Sequence, residues 1–349
     1  MCCKHMVLVF VICSVVAAAA SATPQYNPPA GYQATPYLTT SGETLIEGFD
    51  IDAAGNVYYI ETEYDYFGDP VNWYMPVSSS LKKRTSGGTT ETLYDFSSGV
   101  WGSFVHLVGD EVWFGNSSDN VIRSTSKTGG ATTDIITLDG HYDLKANSLG
   151  QVFVSATPGG STGIFHVYDD GLGYVSDLVA DMGGYSGPIE FDADDNLYYG
   201  FPNYGAGEVV YFDASDVADA IGEENYGSAE LGAADWTSYC AGLSASSFLQ
   251  FHDNGDLFSS SWQSVVDRIY AQDSSEGFGS SPNYSGLGQM AYLPGDGWGE
   301  LYLAATDYSM GEYNSILYQI TAIPEPSTTL MILSSIITGA GILARRLRR

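Results

Sequence analysis

Cations are scarce in this chain. Twelve lysines and arginines stand against 42 aspartates and glutamates. Only seven cations, Lys82, Lys83, Arg84, Arg123, Lys127, Lys145 and Arg268, lie between the two terminal segments. With 41 acids in that stretch, the body carries a formal charge of about −34, which repels nucleic acid and anionic lipid and excludes both as partners. Cysteine is nearly absent. Cys2, Cys3 and Cys13 sit in the first apolar segment, and Cys240 alone remains, so no internal disulfide can staple the body and its stability must come from a core. A buried thiol is the expected state of Cys240. Long helical periodicity is also missing, with Ala214 to Ile221 the one short helix candidate. No G-x-S-x-G, no H-E-x-x-H and no paired cysteines occur, and His106, His141, His166 and His252 fall at unrelated positions, so no nucleophile has a base assigned to it.

What the body has in quantity is tyrosine and glycine, 26 and 41 residues, a composition of strands and tight turns. It also repeats. Six segments share an apolar strand, a turn with Asp, Asn or Gly, and a second strand that opens on a branched residue followed by aromatics. They run Phe49 to Tyr59, Val105 to Phe114, Leu144 to Val154, Ile189 to Tyr199, Leu249 to Phe258, and Met290 to Leu303. The anchors Val57, Val112, Val152, Leu197, Leu257 and Leu301 are spaced by 55, 40, 45, 60 and 44 residues, which brackets a four-stranded propeller blade. A third strand follows each unit, as in Gly163 to Tyr168 or Ser315 to Ile320, and a weaker fourth follows most, as in Asp134 to Leu138.

The pattern resembles the NHL and gluconolactonase-like six-bladed propellers, in which a D-x-x-G-N-[LIV]-[YW] turn recurs. The expected fold is therefore all-β, a six-bladed β-propeller over residues 37–322, with a seventh blade between Leu197 and Leu257 and a two-sheet sandwich as the alternatives. The sixth unit lacks a fourth strand. Tyr37 to Thr40, ahead of the first unit, is the expected partner for its open edge.

Both ends read as addresses. Lys4 and His5 precede an apolar stretch from Met6 to Val16, and Ala20-Ser21-Ala22 supplies a small-x-small cleavage site, so residues 1–22 are expected to be a signal peptide and 23–36 a linker. A retained N-terminal membrane helix and a lipoprotein acylated at Cys13 are the competing readings. At the other end, Pro324, Glu325 and Pro326 are followed by an apolar run from Thr328 to Ala344 and by Arg345, Arg346, Arg348 and Arg349. The run is long enough for a transmembrane helix, and the arginines hold it with the body outside. Residues 323–349 resemble the sorting signal of PEP-CTERM proteins. That resemblance implies export, a membrane tether before processing, cleavage by an exosortase-type membrane protease, and a final place at the cell surface, in the outer envelope or outside the cell.

The acidic turns offer the only candidate chemistry. Asp50, Asp52 and Asn56, with Glu61, and Asp192, Asp194 and Asn196 approach calcium-loop spacing, but Ala54 and Asn203 stand where ligands belong, so hairpin corners are the better reading. The gluconolactonase-like resemblance implies a divalent cation at a channel mouth, for which Glu47, Asn147 and Asp192 or Asn203 are the candidate ligands. Aromatics such as Tyr64, Tyr66, Phe67, Trp73, Tyr74 and Trp262 either pack between blades or stack on sugar rings. The expectation is a non-enzymatic, exported propeller acting in binding or structure, with extracellular polysaccharide as a partner class, membrane contact only through the tail, and no cofactor beyond loosely held Ca2+. A metal-dependent hydrolase or lyase is the rival.

Overall fold

The computed structural model describes residues 24–65, 75–202, 206–222, 231–244, 246–261, 263–282, 286–307 and 314–323. The signal-peptidase residues Ala20 and Ala22, the sorting residues Pro324, Glu325, Pro326, Arg345, Arg346, Arg348 and Arg349, the candidate Asn203, and Tyr66, Phe67, Trp73, Tyr74 and Trp262 lie outside the described residues.

The chain forms β1 (Tyr32–Thr39), β2 (Thr44–Ile51), β3 (Val57–Asp65), β4 (Met75–Arg84) and β5 (Thr90–Asp95). There follow β6 (Gly102–Val108), β7 (Glu111–Asn116), β8 (Val121–Ser126) and β9 (Thr133–Thr137), then β10 (Asp143–Ala146), β11 (Val152–Ala156), β12 (Gly163–Asp169) and β13 (Tyr174–Asp181). The second half holds β14 (Ile189–Phe191), β15 (Leu197–Phe201), β16 (Gly207–Phe212), α1 (Ala214–Gly222), β17 (Thr237–Leu243), β18 (Phe248–Phe251), β19 (Leu257–Ser260), β20 (Val265–Ala271) and β21 (Ser274–Ser280). It ends with β22 (Gly286–Leu293), β23 (Glu300–Asp307) and β24 (Asn314–Ala322). The helix falls where the sequence puts one. No helix among the described residues is long and apolar enough to cross a membrane.

The architecture is all-β and propeller-like. The repeat predicts six separate four-stranded sheets; the structure has four, namely β6 to β9, β10 to β13, β14 to β17 and β18 to β21, each in chain order. The other eight strands make one sheet, β22-β23-β24 continuing into β2-β3-β4-β5, with β1 on β24. The cause of the fusion is local. Thr44 pairs in parallel with Asn314, the Thr40 and Ile46 amides donate to Ser315, and the Ser315 amide donates to the Thr40 hydroxyl. Strand β1 pairs antiparallel with β24 from Tyr32 opposite Ala322 to Thr39 opposite Ile316, supplying the missing edge partner that the sixth unit requires.

The first strands of the repeats neighbour one another in a cycle: β2 touches β6, β6 touches β10, and so on through β14, β18 and β22 back to β2. Apolar clusters fill the core. Tyr58, Ile60, Leu81, Val105, Val112 and Phe114 join the eight-stranded sheet to β6 and β7, and Phe49, Val57, Tyr59, Ala291, Tyr302 and Leu317 gather where β22 to β24 meet β2 and β3. Much of the tyrosine is therefore core. Tyr58, Tyr59, Tyr199 and Tyr302 are among the largest fully buried side chains, each contributing roughly 2 to 3 kcal/mol by area removed from water.

The hairpin turns between first and second strands are built by their own polar residues. Asp52 accepts the Ala54 and Asn56 amides on one carboxylate oxygen, and the Asn56 side chain and Tyr58 hydroxyl on the other. Asp192 repeats this with Asp194, Asn196 and Tyr198. The residue before the second strand's leading Asn or Gln needs positive φ. Gly55 and Gly150 supply it at 76° and 77°, and Asp195 does so at 62°.

Candidate functional site

The strand register brings one residue from each unit to the centre of the ring. Opposite the aromatic that follows each anchor stand Asp50, His106, Lys145, Glu190, Gln250 and Ala291, paired with Tyr58, Trp113, Phe153, Tyr198, Phe258 and Tyr302. Four of these residues are coupled electrostatically. His106 Nδ1 lies 3.0 Å from the Asp50 carboxylate, and Lys145 Nζ lies 2.8 Å from that of Glu190. Burial alone would push the Asp50 carboxyl up, but the His106 hydrogen bond and charge, with Lys145 nearby, bring it below the ordinary range. Burial works against the Lys145 ammonium, and Glu190, Asp143 and Asp50 more than offset it, holding its pKa above that of a free lysine. Asp143 is pushed up by burial, with Lys145 opposing.

Polar groups here also tie one first strand to the next. Asp50 accepts the Leu107 amide of β6 at 2.9 Å, and Asp143 accepts the Ile189 amide of β14 at 3.0 Å. Gln289 on β22 accepts the Phe49 amide at 3.0 Å and donates to the Phe49 carbonyl at 2.8 Å, joining β22 to β2. The space left among Ser103, Tyr142, Asp143, Lys145, Phe248 and Gln289 is about 10 Å³, room for one water. Tyr142 closes it on one side, its hydroxyl donating to the Ser247 carbonyl at 2.8 Å while its ring stacks on Phe248.

The three candidate metal ligands are not brought together. Glu47 sits at a bulge in β2, between Ile46 and Gly48. Its carboxylate accepts from the Tyr64 hydroxyl, the Gly102 amide and, at 3.2 Å, the Thr62 hydroxyl. Burial pushes its pKa up to about 7 against those three hydrogen bonds. Asn147 and Asp192 lie in hairpin turns, at the opposite end of the first strands. The five steps from Glu47 to Asp52 alone span roughly 16 Å at strand rise. Asn147 accepts the Leu149 and Gln151 amides and donates to the Gln151 side chain, and both oxygens of Asp192 are engaged within its turn. Among the described residues no three His, Cys, Asp or Glu side chains converge as a metal-binding group. Cys240 is buried among Val209, Leu243 and Leu257, as its isolation implies.

Sequence reasoning missed the central ring as a unit. Asp50 was grouped with the hairpin-corner acids after its calcium-loop spacing was weighed, and the position reads Asp, His, Lys, Glu, Gln, Ala along the chain. Comparing that one register position across repeats, two residues before the turn in most units, would have exposed it.

The sequence matches no protein-family model and no curated protein. Solved structures do resemble the fold. A gluconolactonase from Xanthomonas campestris aligns with TM-score 0.56 and 13% identity over 84% of this chain and 91% of its own. A luciferin-regenerating enzyme gives 0.56 and 13%, covering 84% and 96%. A catalytically inactive virginiamycin B lyase from Staphylococcus aureus, crystallised with quinupristin, gives 0.52 and 14%, covering 84% and 100%. At these identities the likeness is one of fold: a propeller-like body over most of the chain.

Proposed function

We propose that this chain is an exported, surface-sorted protein whose six-bladed propeller acts in binding or structure and carries no catalytic site. The count of six treats the eight-stranded sheet as two blades fused at Thr44 and Asn314, in keeping with the cycle of six first strands. The observation that carries the non-catalytic reading is the state of the central polar groups: Asp50, Asp143 and Gln289 are engaged with backbone of neighbouring first strands, and the cavity beside them has room for no more than one water. A reacting substrate needs a concave site with polar groups held open towards it. Export and sorting rest on the sequence: the leader ending at Ala22, and the Pro324-Glu325-Pro326 motif with its apolar run and arginines. In this reading an exosortase-type protease removes the tail, and extracellular polysaccharide is the partner class.

Glu47 supports the second reading, a divalent-cation-dependent hydrolase or lyase, because its buried carboxyl titrates near neutrality, where an acid-base group works well. The deciding assay incubates the purified exported protein with aldonolactones, with and without calcium, zinc or manganese. We expect no turnover above the uncatalysed rate. Metal-dependent turnover abolished by Glu47→Gln would replace the first reading with the second.

A further inference from the structure

The face opposite the hairpin turns carries two exposed rings in a continuous rim. Trp101, in the connection from β5 to β6, is 43% exposed, and Tyr185, in the connection from β13 to β14, is 83% exposed. Tyr185 leaves most of its ring in solvent, and Trp101 leaves close to half of its surface open. The segment between them is held by hydrogen bonds. The Ser117 amide donates to the Trp101 carbonyl at 3.0 Å, and the Asn120 side chain joins Asp139 and the Gly140 amide. The Ser186 hydroxyl then donates to the Gly140 carbonyl at 3.1 Å, and the Tyr199 hydroxyl braces the Tyr185 carbonyl at 2.8 Å. Asn120 holds a left-handed φ of 60°, a strained conformation kept by these bonds. Ser117, Ser118, Asp139 and Gly140 are exposed along the same rim.

Two further facts select the occupant. The body's charge of about −34 repels polyanions, whereas stacking of a sugar ring on Trp or Tyr with hydroxyls bonded to nearby oxygens needs no cation. The chain also leaves the described body at the other end: β24 finishes opposite Tyr32, which packs on Trp298 in the turn between β22 and β23. A membrane tail following Ile323 therefore places the rim outward.

We propose that the rim from Trp101 through Asp139 to Tyr185 binds a strand of uncharged polysaccharide, presented away from the membrane. The proposal rests on the export and binding reading above and gives it a site. The test is affinity electrophoresis of the exported protein through gels containing a neutral glucan, mannan or galactan, with alginate as the anionic comparison. Retardation by at least one neutral polymer and not by alginate is expected. Trp101→Ala and Tyr185→Ala should each weaken it about tenfold, while Tyr270→Ala, an exposed tyrosine at the turn end of β20, leaves it unchanged. No retardation by any neutral polymer, or equal loss in all three variants, overturns the proposal. Intact mass of the same preparation reads the sorting step separately: retardation with the arginine tail still attached would sink the sorting and leave the rim standing.

Discussion

Glu47→Gln tests how much of this fold's pH dependence one buried carboxyl carries. In the folded protein its pKa is about 7, against a reference value of 4.5 for the free group. The folded state therefore holds this proton more tightly than the unfolded chain does. Stability from it is fully present below about pH 4.5 and is lost as pH rises towards 7, because the unfolded chain ionises first. A shift of this size corresponds to roughly 3 kcal/mol. Glutamine keeps the shape, accepts the Gly102 amide and can donate to the Thr62 or Tyr64 oxygen, so its intrinsic cost is a pH-independent offset. Denaturant unfolding of both proteins across about pH 4.5 to 8 isolates the effect, because the other carboxylates titrate alike in each. The glutamine variant should gain on the wild type by roughly 3 kcal/mol over that interval, equivalent to about 5 °C in melting temperature for a body of this size. Parallel pH profiles would refute the burial-raised pKa assigned to Glu47.

Deleting residues 32–39 removes the partner of β24 and leaves its backbone groups unpaired, so stability should fall by several kcal/mol, read as a lowered denaturation midpoint; an unchanged midpoint would deny β1 its closing role. Intact-mass measurement of the exported protein should find a start at Thr23 and an end between Pro324 and Pro326. Arg349 still present in a cell with working exosortase would remove the sorting reading.

The turns were the most legible part of the sequence. Asp52 and Asp192 with Asn56 and Asn196 read as hairpin corners because their chemistry is local, closing within four residues. The pairing of β1 with β24 was inferred from an open edge, a topological rule that needs no side-chain detail. The fusion of the first and last units was not legible. It depends on Thr40 meeting Ser315, 275 residues away, through bonds that no local pattern announces. The central ring failed for a related reason: strand register fixes the position, while residue type changes from unit to unit, and a motif search follows type. Glu47 was singled out as a metal ligand, but a bulge at Gly48 and the approach of Gly102, whose added Cβ would meet Ile60 and the Glu47 side chain at 3.1 Å, turn it into a buried contact between sheets.

The central claim is that the candidate ligands Glu47 and Asp192, like the polar groups of the ring, serve the fold and hold no catalytic ion. It is tested most directly by melting the exported protein against calcium, manganese and zinc in high salt, where diffuse attraction to the acidic surface is screened. A specific site would stabilise by RT ln(1 + [L]/Kd), about 2.7 kcal/mol at a hundredfold excess over Kd. The account predicts only a small, unsaturating rise at millimolar metal, the same in wild type, Glu47→Gln and Asp192→Ala. A saturable rise at micromolar metal that survives salt and disappears in either variant would contradict it.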